Sequence, residues 1–266
     1  MDELKGLIKS IVPDTILKIY RDYNRRKQRD NQLRAYQGNS VICPICSSKF
    51  KAFAPYGRNN RKNALCLNCG SLERHRLIWK YMNETLDFFH TTRNIRLLHF
   101  APESVFYDSL SRMDNIEYLP CDLDPEKYPY QGEIKVQKID ITKIPYKNES
   151  FDFILCNHVL EHIPNDKLAL AELFRVMKTE GGGIFQVPIN YNHEETYEDF
   201  NLTTAERRIS AFGQHDHVRV YGRDYKDKLA GVGFNVTADE FVKGFTSEEL
   251  QKFGINSSEL IYYCQK

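Results

Sequence analysis

From residue 95 onward, short apolar runs alternate with stretches whose apolar residues recur at helical spacing. Runs at 95–100, 116–121, 135–139, 151–156, 183–187, 234–240 and 260–264 predict seven strands. Between the fourth and fifth, Leu168, Leu170, Ala171, Leu173, Phe174 and Val176 predict a helix over 167–177, and a further helix starts at 224–229. Strand–helix alternation with few tight hairpins predicts an α/β fold. Its form is a Rossmann-like, doubly wound, seven-stranded and mostly parallel sheet with helices on both faces. Ligands of such sheets sit in the crevice at the carboxyl ends of the strands.

The first third follows another pattern. Leu4, Leu7, Ile8, Ile11, Val12, Ile16, Leu17 and Tyr20 have helical spacing, with Pro13 a break or a second start. Residues 21–34 are basic and polar, and Gly38-Asn39-Ser40 then punctuates the chain. Residues 72–89 predict a helix leading into the larger region. The expected organisation is a basic amphipathic segment at 1–40, a cysteine module at 41–71, a linking helix at 72–93 and a sheet domain at 94–266. Within the 266 residues, 41% hydrophobic and 27% charged content is ordinary for a soluble globular protein. No apolar run approaches the ~18 residues of a membrane span. Lys5, Lys9 and Asp14 interrupt the apolar residues at the start, so a secretory signal is not expected. The expected location is cytoplasmic, with peripheral membrane association of residues 4–34 an open alternative to docking on the protein.

Charge divides the chain where the hydrophobic pattern does. Residues 1–81 hold 17 Lys/Arg against 6 Asp/Glu, and the remainder 20 against 30, although the net charge is only +1. The basic front either meets an anionic partner or simply solvates a helix and a small module.

Four of the seven cysteines form two hooks, Cys43-Pro44-Ile45-Cys46 and Cys66-Leu67-Asn68-Cys69, separated by 19 residues; Cys121, Cys156 and Cys264 are scattered. A C-x-x-C hook brings two thiolates to one ion from a single turn, and Gly70 frees the backbone behind the second hook. Two hooks make a closed tetrahedral site, structural because no position stays open. The expectation is a zinc-ribbon module with structural Zn2+, iron being the alternative, whose folding energy is its metal binding.

The segment running from Phe151 into Asn157-His158-Val159-Leu160-Glu161-His162 is followed by Arg175-Val176-Met177-Lys178-Thr179-Glu180-Gly181-Gly182. Ahead of both come Ile139-Asp140-Ile141 and Ile144-Pro145-Tyr146. In this order the pieces resemble class I S-adenosylmethionine-dependent methyltransferases of the type 11-like group, over about residues 94–266. The resemblance implies S-adenosyl-L-methionine as cofactor. Asp122 ends the second strand, 21 residues after Ala101, where a carboxylate can accept both ribose hydroxyls; Leu123 follows it, and Asp124 is a fallback. Asp140 can accept from the adenine amino group while Ile141 packs on the ring, and Asn157 and His158 are expected near the methionine end. One departure matters: where the family has a glycine-rich loop, this chain reads His99-Phe100-Ala101-Pro102-Glu103. Ala101 keeps some close approach, Pro102 stiffens the turn, and Glu103 is expected to pair with the cofactor's α-ammonium.

The Asn/Asp-Pro-Pro-aromatic pattern of amino-group methyltransferases is absent after the fourth strand, so an oxygen acceptor fits by elimination. The connection 188–222 is expected to form a lid over the acceptor, with His215 or His217 as general base, Arg219 and Tyr221 gripping the acceptor, and His158 the rival base; His162 reads as a packed helix histidine. Resemblance points to O-methylation of a sugar, a glycan-related or another small polar acceptor, with a nucleotide-sugar or lipid-linked glycan suiting the basic front. Two alternatives stay open. One is a methyltransferase of ribosomal RNA type that binds RNA through the basic front with Tyr20, Tyr23, Tyr36, Phe50, Phe53 and Tyr56. The other is a non-catalytic, zinc-dependent binding protein.

Overall fold

The computed structural model describes residues 14–57, 59–130 and 132–266. Residues 4–13 of the expected first helix lie outside the described residues. In chain order the elements are helix α1 (Asp14–Ala35), strands β1 (Val41–Ile42), β2 (Lys49–Phe50), β3 (Ala54–Tyr56) and β4 (Arg61–Leu65), then helix α2 (Glu73–Glu84). There follow β5 (Ile95–Phe100), α3 (Ser104–Leu110), β6 (Ile116–Asp122), β7 (Gln137–Lys138), β8 (Phe151–Asn157), α4 (Asp166–Val176) and β9 (Met177–Gln186). The last elements are β10 (Tyr197–Glu198), α5 (Ala205–Phe212), β11 (Arg219–Val220), α6 (Tyr225–Ala230), β12 (Asn235–Asp239), α7 (Ser247–Phe253) and β13 (Ile261–Gln265).

The chain splits into two compact units, Met1–Trp79 with Phe245–Asn256, and Lys80–Gly244 with Ser257–Lys266. The segment 245–256, read with the sheet domain from sequence, thus clusters with the cysteine-bearing unit. In the larger unit, seven strands lie in the order β12-β13-β9-β8-β5-β6-β7. The five from β9 to β7 are parallel, and β13 enters antiparallel to both β9 and β12. Leu98, Phe100, Ile154, Cys156 and Phe185 point into a core closed by Ala169, Leu170, Leu173 and Val176 of α4. That burial explains the near-continuous apolar runs, since both faces of a parallel sheet are covered. The Asn165 side chain caps α4 by accepting from Leu168 N.

Two predicted elements change length for local reasons. The helix expected over 72–89 stops at Glu84, because Asp87 adopts a left-handed φ of 49° and the chain turns back through Phe88 N–Met82 O. The fifth strand begins at Met177 rather than 183, the three glycines 181–183 continuing the ladder between Asp152, Ile154 and Tyr263, where a Cβ would collide.

The smaller unit is built on two short hairpins, β1–β2 and β3–β4. Val41, Cys43, Phe50, Phe53 and Cys66 form its core, with Leu33 and Tyr36 packed against it. Helix α7 is closed by a Thr246–Glu249 capping box and by Gly254 in the left-handed conformation.

Candidate functional site

Strands β5, β6, β7 and β8 all end at one edge of the larger unit, around a cavity of about 410 Å³. Phe100 and Ala101 come from the end of β5, Asp122 and Leu123 from β6, Ile139, Asp140 and Ile141 from β7 and its loop, and His158 and Val159 from beyond β8. His162, Ile163 and Asp216 complete the wall on the β8 side. Parallel strands deliver their loops to the same edge, which is why residues so far apart in sequence meet.

The β6 loop is held from within. Asp122 Oδ1 accepts from Asp124 N at 2.8 Å, and Asp122 Oδ2 accepts from Tyr128 Oη at 2.9 Å. Burial, and then the bond to Asp122, pushes the Tyr128 phenol well above its ordinary value, so it stays a donor. Asp124 supplies a backbone donor to Asp122, with an exposed side chain 3.7 Å from Lys127. Asp140 Oδ1 accepts from both Thr142 N and Thr142 Oγ1, which fixes the β7 loop. Behind it, Arg175 donates to Ile144 O and Tyr146 O while Glu172 accepts from Ile144 N. The Arg175 and Ile144-Pro145-Tyr146 stretches are therefore two halves of one clamp.

The β5 loop replaces glycine geometry with strain. Ala101 sits at φ 48°, a left-handed conformation that glycine adopts without penalty. His99 is fully buried, its Nδ1 2.9 Å from Tyr118 Oη and its Nε2 2.9 Å from Glu103 Oε2. Tyr130 Oη donates to Pro102 O at 2.6 Å. The loop is thus pinned from both sides.

Six of the nine expected cofactor residues line the cavity: Ala101, Asp122, Leu123, Asp140, Ile141 and His158. Three do not. His99 is buried behind the loop, Glu103 is engaged by His99, and Asn157 is 2% exposed with both amide atoms unpartnered among the described residues. Among the expected bases, His158 lines the cavity at φ 54°, its Nδ1 3.3 Å from Glu161 Oε1. His215 lies exposed beside Asp216 and off the cavity wall. His217 is buried, and that burial holds its imidazole below the usual value.

Arg219 and Tyr221, expected to grip the acceptor, are both engaged inside the fold, and Arg219 also lines a small cavity with Glu161 and His217. Arg219 is 1% exposed and donates to Leu160 O, Ile163 O, Pro164 O and Glu198 Oε2. Tyr221 is fully buried and donates to Asp166 Oδ2 at 2.8 Å. Both fasten the 188–222 connection to the turn after β8, because a buried guanidinium must fill its donors.

Sequence reasoning missed Glu161 and gave His162 a packing role. Glu161 is 1% exposed with Oε2 unpartnered, and the His162 ring lies edge-on to His217 with centroids 4.7 Å apart. The available signal was an acid and an imidazole adjacent in sequence just after a strand. Glu161 and His217 also line a second cavity of about 170 Å³ with Ile189, Asn190 and Phe212.

In the smaller unit the two hooks have matching backbones. Ser47 N bonds Cys43 O and Gly70 N bonds Cys66 O, while Cys43 N and Cys66 N bond Ser48 O and Ser71 O. Ser47 and Gly70 both have positive φ, 59° and 76°. Cys43 Sγ–Cys69 Sγ is 3.6 Å and Cys46 Sγ–Cys66 Sγ is 3.7 Å, with all four sulfurs within 4.8 Å of one another. Sulfurs held at ~2.3 Å around a tetrahedral ion stand roughly 3.8 Å apart, so the set fits a zinc ion.

Among known proteins, residues 110–185 match the family model described as a methyltransferase domain. An uncharacterized protein of Methanocaldococcus jannaschii is 29% identical over 131 residues, which is 47% of this chain and 56% of that relative. Its match to this chain thus spans little more than half of the relative's length. Among solved structures, an S-adenosylmethionine-dependent methyltransferase of Archaeoglobus fulgidus aligns with a TM-score of 0.45 at 16% identity, over 71% of this chain and 93% of that one. The YcgJ protein of Bacillus subtilis aligns with a TM-score of 0.41 at 12% identity, over 70% and 94%. The match over residues 110–185 and the seven-strand order agree in what they resemble: the larger unit is a Rossmann-like α/β fold similar to methyltransferase domains.

Proposed function

We propose that the larger unit transfers a methyl group from S-adenosylmethionine to an oxygen of a small polar acceptor, a sugar or glycan-related molecule. The observation that supports this reading most is the cavity itself. A carboxylate at the end of β6, an acid followed by an apolar residue after β7, and a close-approach turn after β5 suit ribose, adenine and the rest of the cofactor in turn. β7 lies at one sheet edge and β8 three strands inward, so the reacting end and the acceptor fall toward His158 and His162. When bound, the cofactor supplies an electrophilic methyl group on a sulfonium. His158 would take the acceptor's hydroxyl proton as the new O–C bond forms and the methyl–sulfur bond breaks, the thioether leaving, and Glu161 orients its ring. The strained Ala101 turn and the buried Arg219 clamp hold the walls in place, which is the larger part of catalysis for an in-line displacement. In the smaller unit, Cys43, Cys46, Cys66 and Cys69 hold structural zinc.

The test is calorimetric titration of S-adenosylmethionine and S-adenosylhomocysteine into zinc-loaded protein, followed by a mass-spectrometric screen of hydroxylated sugars and nucleotide-sugars. Micromolar binding, a 14 Da gain on a hydroxyl, and loss of turnover but not of binding in His158→Ala are the expected results. Absence of cofactor binding would overturn the reading and favour a non-catalytic binding protein.

One observation favours an RNA acceptor as a second reading. Tyr20 and Tyr23 stand 64% and 60% exposed on α1, a helix rich in Arg and Lys. No helix among the described residues is long and apolar enough to cross a membrane.

A further inference from the structure

We propose that Glu161, His162 and His217 bind a divalent transition-metal ion beside the methyl-transfer cavity, where it would hold the acceptor's oxygens. The role assigned to the ion rests on the methyl-transfer reading; its presence does not.

The three side chains come together because the backbone forces them to. A single 3-10 turn after β8 carries Glu161 and His162 side by side. Val218 N donates to Glu161 O at 3.0 Å, and Arg219 binds Leu160 O and Ile163 O, so the segment bearing His217, just before β11, is fastened along that turn. One donor atom from each of the three residues then lies within 4.8 Å of the others. Bonds of about 2.1 Å to nitrogen and oxygen allow donors up to roughly 4.2 Å apart, so small side-chain rotations close the set.

Each member is also oriented by a neighbour, the arrangement that metal ligands require. His158 Nδ1 stands 3.3 Å from Glu161 Oε1. Asp216 presents its carboxylate and its backbone oxygen to His162 Nδ1 at 3.4 and 3.3 Å, which turns Nε2 away from it. The His217 ring bonds the backbone of Phe212. What these contacts leave over is the telling part. Among the described residues, Glu161 Oε2 and His217 Nε2 have no partner, although the two residues are only 1% and 4% exposed. Buried polar atoms are rarely left this way, and an unpaired carboxylate oxygen beside an unpaired imidazole nitrogen is what a cation satisfies.

Two imidazoles and one carboxylate suit Mn2+, Fe2+, Co2+ or Zn2+, and leave coordination positions open. His162 lines the larger cavity and His217 the smaller one, so the ion faces both. A hydroxyl bound to it would lose its proton more readily and be held for attack. The chemistry is Lewis-acidic, with no change of oxidation state.

The test uses the full chain with its cysteine site zinc-loaded and Mn2+ alone as the probe, since four thiolates disfavour that ion. Electron paramagnetic resonance should show one Mn2+ bound per chain. Glu161→Gln and His217→Gln should weaken it at least tenfold while zinc content stays at one per chain and S-adenosylmethionine affinity is kept. His162→Gln, at a partly exposed position, repeats the test where folding is least at risk. No bound Mn2+ in the wild type, or binding unchanged in all three variants, overturns the site. Mn2+ binding without cofactor binding would instead sink the methyl-transfer reading and leave the metal site standing.

Discussion

Ala101 carries at one residue a cost that the cofactor loop of this fold commonly avoids with glycine. A Cβ at φ 48° costs about 1–2 kcal/mol, and the His99–Glu103 and Tyr130–Pro102 contacts hold it there. Ala101→Gly should therefore keep cofactor affinity within a few-fold, whereas the β-branched Ala101→Val should lower both affinity and melting temperature; calorimetry and thermal denaturation read the two effects. Asp122 makes a sharper case. Asp122→Asn keeps an acceptor for Tyr128 but removes the charge that the proposed ribose contact needs, and binding should fall about 10- to 100-fold, as loss of a charged hydrogen bond implies. Unchanged affinity in that variant would move the ribose site elsewhere. Gly254 is a third position with a definite demand. At φ 58° a Cβ would stand 2.5 Å from the Phe53 ring and 2.9 Å from Arg76 Nη2, so Gly254→Ala should cost about 1–3 kcal/mol in chemical denaturation. The identity of each of these residues was legible in the sequence, but only the positive φ values and the crowding around Gly254 explain why substitution would be felt.

The elements differ in how far the sequence exposes them. β5, β6 and β8 are buried on both faces, so their apolar runs announce them, and the structure moves their ends by one residue at most. β1 to β4 are two to five residues long and carry no alternation; the turn between β1 and β2 and the one after β4 are set by the cysteine hooks, which a hydrophobic pattern cannot show. Helix α7 was hidden for another reason. It joins the cysteine-bearing unit through Arg76, which donates to Phe253 O and Gly254 O across more than 170 positions of sequence. Arg76 is fully buried, and its remaining donors meet Ala64 O and Ser71 O. Burial alone would disfavour its charge, and the thiolates of Cys43, Cys66 and Cys69 nearby act against that. With the proposed zinc in place the site carries a formal charge of about −2, of which the guanidinium offsets one. Stripping the metal with a thiol-reactive chelating system should therefore unfold this unit while leaving the sheet's circular dichroism, and Arg76→Met should cost about 3 kcal/mol or more. Retention of the α7 helical signal without metal would contradict that coupling.

At the scale of the whole chain, the charge division parallels the architectural one. The +11 of residues 1–81 belongs almost wholly to the cysteine-bearing unit, and the −10 of the remainder mostly to the larger unit. A domain whose own surface is acidic repels polyanions, so any RNA would have to be held by α1 and the hairpins, where Lys27, Arg29 and Arg34 accompany the exposed Tyr20 and Tyr23. The two readings of the acceptor then separate by salt. If the acceptor is a compact sugar-like molecule, RNA retained at 50 mM salt should be released by 150 mM, since a few phosphate contacts yield a shallow slope and little residual affinity. Tyr20→Ala with Tyr23→Ala should then leave turnover on the true acceptor unchanged. If RNA is the acceptor, retention should persist at physiological salt with a slope of several ion equivalents, and the paired tyrosine substitutions should weaken it by roughly 1–3 kcal/mol per stacked base. A filter-binding series in salt, run beside turnover for the same variants, decides which unit of the chain chooses the substrate: a flat turnover response assigns the choice to the cavity lined by His158 and His162, and a parallel loss of both assigns it to the basic front.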